Sequence, residues 1–209
     1  MKIDIKKSTK TVNYNKAILF LEKRVNKVID NKSNELIWIL EHPYTFTGGK
    51  TYNKSEIIDK KINVIESSRG GKITWHGPGQ LICYFVIDLN KRKKDIRKFL
   101  NVIESTIIET LKKYNINSFS DRKNIGIWVK INGKAKKIAA IGIRVKKWIA
   151  YHGFSLNINN DLDSYKKIIP CGIKDKGIIN LKLIKNQNYI NIDKEIISNF
   201  IKNLKTITF

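Results

Sequence analysis

Residues 69–80, Arg-Gly-Gly-Lys-Ile-Thr-Trp-His-Gly-Pro-Gly-Gln, constrain this chain more than any other stretch. Four of the chain's twelve glycines fall within them. Glycine loses more backbone freedom on folding than any other residue, so this density marks backbone that must bend tightly or approach something closely. An apolar run, Ile62 to Ile65, precedes the stretch, and a strand-like run, Leu81 to Leu89, follows it. A glycine-rich loop carried on a rigid sheet is therefore expected, where binding residues commonly sit. Two tight turns account for Gly70-Gly71 and Gly77-Pro78-Gly79. They do not account for Arg69, Thr74, His76 and Gln80, hydrogen-bonding groups that no turn requires. Backbone amides in such a bend, with an Arg and a His beside them, suit a carbonyl, carboxylate or phosphate oxygen. The spacing is neither G-x-G-x-x-G nor G-x-x-x-x-G-K-[ST], which excludes dinucleotide and P-loop mechanics.

At 209 residues and 42% hydrophobic content, the chain is long enough for one sizeable core, and a single domain over residues 1–209 is expected. The N-terminus, Met1 to Lys10, lacks the apolar centre of a signal peptide, and no stretch has the apolar length of a membrane span. Two cysteines without Cys-x-x-Cys spacing argue against a disulfide scaffold or a structural zinc site. A reducing cytoplasm is the expected location. The net charge of +23 has two readings. Such a surface attracts nucleic acid or acidic proteins. Equally, the chain is strewn with Lys, Asn and Ile, and its lysines occur everywhere along it. Basic clusters stand at Lys91 to Lys94 and Arg144 to Lys147.

Within residues 13–30, Tyr14, Ala17, Leu21, Val25 and Val28 share one helical face. Leu36 to Glu41 reads as a short strand stopped at His42-Pro43. Asp95 is a candidate N-cap for a helix with Ile96, Phe99, Ile103, Ile107 and Leu111 inward. Asn132-Gly133 signals a hairpin between 125–131 and 136–145. A third strand, Trp148 to Ile158, is expected after a tight turn at Lys146-Lys147. Asp193 is a candidate cap for a closing helix with Ile196, Ile197, Phe200 and Leu204 inward. The sum is an α+β fold, a mixed or antiparallel sheet with helices packed on one side.

Several blocks, in order, resemble the lipoyl(octanoyl) transferase family, also called lipoate-protein ligase B. They are Glu41-His42-Pro43 with Phe46-Thr47, residues 69–80, Lys137 to Val145, His152-Gly-Phe-Ser-Leu-Asn157, and Pro170-Cys171-Gly172. The resemblance spans roughly residues 13–180 and implies the biotin/lipoate protein ligase catalytic fold. It departs at Ser155, where the family commonly has alanine, and matches less well from Lys174 to Lys185. It implies transfer of an octanoyl group from acyl carrier protein to a lysine of a lipoyl domain, as in 2-oxoacid dehydrogenase complexes and the glycine cleavage H protein. It implies no cofactor or metal beyond the phosphopantetheine that carries the donor acyl group. Acidic carrier proteins are then the partners that a basic surface would favour, with no specific nucleic acid and no membrane, for a monomeric enzyme.

The resemblance makes Cys171 the nucleophile and Lys137 its base. Cys171 lies between Pro170 and Gly172, where a turn can expose a thiol, whereas Cys83 lies in an apolar strand and reads as a small hydrophobe. A thiol with a pKa of about 8.5 needs a cation or a base beside it. Lys137 alternates in phase with Ala139, Ile141, Ile143 and Val145, which argues for a half-buried lysine. Such an amine either accepts a proton or, if charged, stabilises the thiolate. A Cys–His arrangement with His76 or His152 is the rival. The substrate-binding set comprises Arg69, Gly70, Gly71, Lys72, Ile73, Thr74, Trp75 and His76 from the loop. Ala140, Ile141, Gly142, Gly153, Phe154 and Ser155 complete it from two strands, the small residues leaving room for an acyl tail. Amides of the Gly70-Gly71 loop, or others near Cys171, are expected to hold the oxyanion. Two other readings stay open. One is an ATP-dependent lipoate or biotin ligase, or an amidotransferase between lipoyl proteins; the other is a basic nucleic-acid-binding module, for which no motif is present.

Overall fold

The strand Gln80–Asp88 is buried at every position, so both of its faces must be covered. The computed structural model describes residues 2–170 and 177–208 and places this strand inside a seven-stranded sheet. In chain order the strands are β1 (Ile3–Lys7), β2 (Glu35–Leu40), β3 (Thr45–Gly48), β4 (Val64–Glu66), β5 (Ile73–His76) and β6 (Gln80–Asp88). β7 (Phe119–Ser120), β8 (Ile127–Ile131), β9 (Lys134–Lys146) and β10 (Ile149–Asn157) follow. The large sheet runs β1-β2-β6-β10-β9-β8-β7, antiparallel except for the parallel β1–β2 pair; β4-β3-β5 form a second, smaller sheet.

Four helices, α1 (Tyr14–Ile29), α2 (Ile96–Lys113), α3 (Leu181–Ile184) and α4 (Ile192–Leu204), occur among the described residues. Strand alternation decides where the long ones pack. Ile37, Ile39, Cys83, Phe85 and Ile87 form one core with Phe99 and Ile103 of α2 and Phe200 of α4. Leu36, Trp38, Tyr84 and Val86 point the other way and meet Ala17, Leu21 and Val25 of α1. Helices therefore cover both faces of the sheet, not one side as expected. β2 and β6 are apolar at successive positions, which is the pattern of a strand buried on both faces.

Local signals set most boundaries. Asp95 caps α2 by accepting from Lys98 N at 3.0 Å. Ile96, expected inward, is 44% exposed, because helical spacing in a first turn does not by itself carry a side chain over the core. Asn132 and Gly133 take φ of 49° and 76° and close the β8–β9 hairpin. The β9–β10 turn falls one residue later than expected, with Lys147 and Trp148 in the left-handed region at 48° and 63°. Neither residue type announces that conformation. Asp193 does not cap α4. It lies inside the first turn, where its carboxylate pairs with Lys7, and Asn191 holds the cap position. No described helix is long and apolar enough to cross a membrane.

Candidate functional site

Opposed positions on three neighbouring strands build a floor on the α1 side of the sheet. Ala140, Ser155 and Ile82 form one row, and Gly142, Gly153 and Tyr84 the next. Four small residues leave a narrow cleft above them, partly open to solvent. Its wall includes Ile141, Phe154 and His152, and its roof is the glycine-rich loop, through Arg69, Gly70, Gly71, Lys72, Thr74 and His76. Loop and floor touch through glycine on both sides. Gly70 N donates to Ile143 O at 3.2 Å, and a Cβ on Gly142 would lie 3.1 Å from Gly70 O. The Gly70 amide is thereby committed to the sheet, which removes it from the expected oxyanion donors. Ile73 and Trp75 were also expected at the substrate, but strand alternation turns them into the core of the smaller sheet, with Phe46 and Tyr165.

Arg69 is held by neutral acceptors alone. Its Nη1 donates to Gly70 O at 3.0 Å, and its Nη2 to Thr47 O and Oγ1 at 2.7 and 2.9 Å. Its Nε is buried without a hydrogen-bond partner, and no described carboxylate pairs with the guanidinium. The cleft thus carries a cation whose charge is not cancelled within the described protein, an arrangement suited to an anionic or strongly polarised oxygen. Lys72, by contrast, is neutralised by Glu56 at 2.9 Å.

All three histidines of the chain converge here. His76 Nδ1 lies 2.7 Å from Gln80 Oε1, while Gln80 Nε2 donates to Asn157 Oδ1 at 2.9 Å. His42 lies between Val12 O at 2.6 Å and Tyr84 OH at 2.8 Å. A carbonyl can only accept, so Nδ1 of His42 carries the proton and Nε2 accepts from the tyrosine. His152 sits in mid-strand with φ of 68°, its Nε2 3.2 Å from Ser68 Oγ and its Nδ1 buried without a partner. A left-handed residue inside a strand stores strain, which concentrates at functional sites. Burial lowers all three imidazoles, His42 to about 4 and His76 and His152 to about 3; the neighbouring His42 and then Arg69 add to the effect at His76, and Arg69 and Arg144 at His152. They are neutral hydrogen-bonding groups at physiological pH. Tyr14, at the start of α1, packs behind His76. It donates to Ser67 Oγ at 2.6 Å and stacks near His76 with centroids 6.1 Å apart.

Lys137 reaches this face by a route that alternation did not foresee. Ile127 pairs with Ala139 but Trp128 pairs with Lys137, so Ile138 is an extra residue, a β-bulge. Ile138 and Ala139 both enter the α2/α4 core with Ile127. Lys137 is thereby thrown out of phase with Ala139 and onto the face of Ala140 and Gly142, opposite Trp128. It is 5% exposed, its Nζ 3.1 Å from Ile125 O and 4.8 Å from the centre of the Trp128 ring. Gly126 makes the space, since a Cβ there would lie 3.3 Å from the Lys137 Nζ. The lysine backbone also grips the returning chain, with Lys137 N donating to Gly177 O and Ile179 N to Lys137 O. Cys171 and Gly172 lie outside the described residues. The chain leading to them is pinned where Ile169 N donates to Glu56 O at 2.7 Å. Cys83 is fully buried, and burial pushes its thiol far above the ordinary cysteine range, in keeping with a core residue.

The lipoyl protein ligase A/B catalytic domain model matches residues 13–202. The octanoyltransferase of Wolbachia sp. subsp. Brugia malayi (strain TRS) is 44% identical over 176 residues, 84% of this chain and 86% of that protein. The chain belongs to the lipoyl(octanoyl) transferase family. Its fold is that of the biotin and lipoate protein ligases. A bi-partite lipoate protein ligase from Thermoplasma acidophilum superposes with a TM-score of 0.75 at 13% identity, over 98% of this chain and 84% of that one. A biotin protein ligase from Aquifex aeolicus superposes at 0.57 and 15% identity, over 98% and 70%. Within this transferase, several residues in and around the cleft carry no strong sequence signal. Tyr14 and Tyr84 read as ordinary core positions, and Gly126 as one glycine before a strand. Glu56 has only its buried carboxylate, which accepts from Asn53 N and Ile73 N and pairs with Lys72.

Proposed function

We propose that this chain moves an octanoyl group from the phosphopantetheine of an acyl carrier protein to a lysine of a lipoyl domain, through an acyl thioester on Cys171. The acceptors are lipoyl domains of 2-oxoacid dehydrogenase complexes and the H protein, and the enzyme works as a cytoplasmic monomer. In the first step the Cys171 sulfur attacks the donor carbonyl, and the carbon–sulfur bond to pantetheine breaks. Lys137 takes the cysteine proton and returns it to the departing thiol. In the second step the acceptor amine attacks the enzyme thioester, an amide forms, and Cys171 recovers a proton. A thioester-to-thioester exchange is nearly level and the final amide lies downhill, so no ATP is required.

The observation that carries this reading is the pairing of an uncompensated Arg69 cation with a floor of small residues, with the buried Lys137 on the same face. The floor leaves room for a hydrocarbon tail, and the cation and the Gly71 amide attract the carbonyl oxygen. Neutral histidines shape the wall without competing for the thiol proton.

Incubation with octanoyl-carrier protein is expected to add one octanoyl mass to the purified protein, and Cys171→Ala to remove both that adduct and transfer. Full transfer by Cys171→Ala would overturn the mechanism. The ATP-dependent ligase is tested with free octanoate, ATP and apo lipoyl domain, where no modification is expected.

A further inference from the structure

One connection touches both halves of the proposed chemistry. It joins β3 to β4 and runs from the glycine-rich roof to the chain that enters Cys171. At its start, Gly49 N, Lys50 N and Thr51 N donate to the carbonyls of Lys72, Arg69 and Gly71 at 3.2, 3.0 and 3.2 Å. Further along, Ile58 N and Asp59 N donate to Lys167 O at 2.9 and 3.1 Å, and Ile57 forms an antiparallel bridge with Ile168. Glu56 stands between these ends and reaches both. Its main-chain oxygen accepts from Ile169 N at 2.7 Å, two residues before Cys171. Its carboxylate turns to the roof, with Oε1 2.9 Å from Lys72 Nζ and Oε2 3.5 Å from Ile73 N.

Helix capping does not account for this residue. Glu56 does close a capping box with Asn53, whose amide lies 3.4 Å from Oε2, on a single turn at Lys54–Glu56. Such a box needs that one bond and works at a solvent-exposed helix end. Glu56 is 5% exposed, and a carboxylate is costly to bury unless it is paired and hydrogen-bonded. The pairing comes from the roof, through a lysine whose own side chain is 43% exposed at the cleft. Glu56 is not part of the cleft lining, so it acts through Lys72, Ile73 and Ile169. Without its carboxylate, Lys72 becomes a second uncancelled cation near Arg69, and the roof loses its hold on the segment that leads to the sulfur.

We infer that Glu56 is a positioning residue for acyl transfer, holding the Lys72–Ile73 edge of the roof in register with the chain that carries Cys171. The inference rests on the proposed transferase reading and adds to it the residue that aligns the donor carbonyl with the thiol. Roof and nucleophile come from segments about a hundred residues apart in sequence, so their relative placement must be held by a contact to both. The placement matters because a misalignment of about 1 Å between reacting groups can cost about a hundredfold in rate.

The test uses the full chain with Glu56→Ala and Glu56→Gln. Two rates at Cys171 are timed by intact mass, per folded molecule: acylation by saturating octanoyl-pantetheine, and alkylation by iodoacetamide. Acylation needs roof and thiol together, whereas alkylation needs the thiol alone; Cys83 is fully buried and does not report. Glu56→Ala is expected to lower acylation about tenfold or more and to leave alkylation unchanged. Glu56→Gln keeps an oxygen for the two amides but no charge for Lys72, and should recover acylation to within about threefold of the unmodified rate. Both rates unchanged in Glu56→Ala, even with a lowered Tm, would make Glu56 a structural cap and overturn the inference. Both rates falling in proportion would mean that the thiol itself is disturbed, and would overturn it as well. If Glu56→Ala does not fold, Glu56→Gln decides: a loss of about threefold in acylation alone upholds the inference, and an unchanged rate overturns it. An unmodified protein that takes an acyl group from neither octanoyl-pantetheine nor octanoyl-carrier protein sinks the transferase reading and this inference together.

Discussion

The two faces of the central sheet are made from the same strands and do opposite work. Toward α2 and α4, Phe85, Phe99 and Phe200 interlock with ring centroids 5.3 to 6.4 Å apart, in a cluster of fully buried apolar side chains. Toward the glycine loop, the same strands present glycine, alanine, serine and the neutral His152, beneath Arg69, which has no carboxylate, and the neutral His76 of the roof. One face gains stability from burial. The other keeps space empty and polar groups only partly satisfied, both of which cost stability. A sheet covered on both sides can carry such a site because the opposite face holds the fold together.

The sharpest way to separate the faces is acid. Each cleft imidazole titrates at about 3 to 4 in the fold and at about 6.5 in the unfolded chain. Between those values the unfolded chain holds more protons, so stability is fully present above pH 6.5 and is lost as pH falls toward 4. One group costs about 1.4 kcal/mol per pH unit, and three together about 4. Urea midpoints measured from pH 7.5 to 5 should fall steeply, and His76→Gln should reduce the slope by about a third. A slope unchanged in that variant would mean that His76 is protonated inside the fold. The apolar face contributes nothing to this dependence, because it contains no group that titrates there.

The next effect comes from the other side. Phe200 is fully buried in α4 against Phe85 and Phe99. Phe200→Ala should cost about 3–5 kcal/mol in denaturant unfolding. Transfer per folded molecule should stay at its original rate, since the cleft lies across the sheet. A drop in that rate would show that the two faces are coupled through the strands.

The sequence showed these faces unequally, for physical reasons. The apolar face was legible because a helix or strand that buries one stripe must repeat it, as Phe99, Ile103, Ile107 and Leu111 do. The roof was legible because a glycine cluster with polar residues has few structural uses. Lys137 was singled out, but its alternation placed it with Ala139. The bulge at Ile138 reverses that, and nothing in Lys-Ile-Ala-Ala announces an extra residue. Tyr14, Tyr84 and His42 meet only in the folded molecule, from three elements far apart in the chain. No local pattern encodes a contact of that kind. Glu56 is the extreme case, a single acidic residue in a surface-like segment that ties together the roof and the chain approaching Cys171.

Between the faces stands Gly153, where β10 presses on β6. An added Cβ would fall 1.9 Å from Cys83 O, a backbone atom with no freedom to move aside. Gly153→Ala should therefore cost about 3 kcal/mol and lower activity together with stability, read by unfolding and by transfer assays on the same preparation. An intact Tm would mean that the strands separate more easily than their pairing implies.

Gly142, one strand over, gives the smallest change in stability and the cleanest separation. Its added Cβ would meet Gly70 O at 3.1 Å and Arg69 Cδ at 3.5 Å, so the loop must yield by a few tenths of an ångström. Loss of glycine freedom in the unfolded chain works in favour of the variant by about 0.4–1 kcal/mol, which offsets much of that displacement. Stability of Gly142→Ala should stay within about 1 kcal/mol of the original. Activity should not follow it, because the same methyl group fills the floor and pushes the loop at Gly70, next to Arg69, away from the cleft. A tenfold fall in transfer corresponds to about 1.4 kcal/mol of lost transition-state stabilisation, and a fall of about that size is expected. If rate and stability instead fell in step, as at Gly153, then Gly142 would be a packing position, and the floor of the cleft would have to be sought elsewhere.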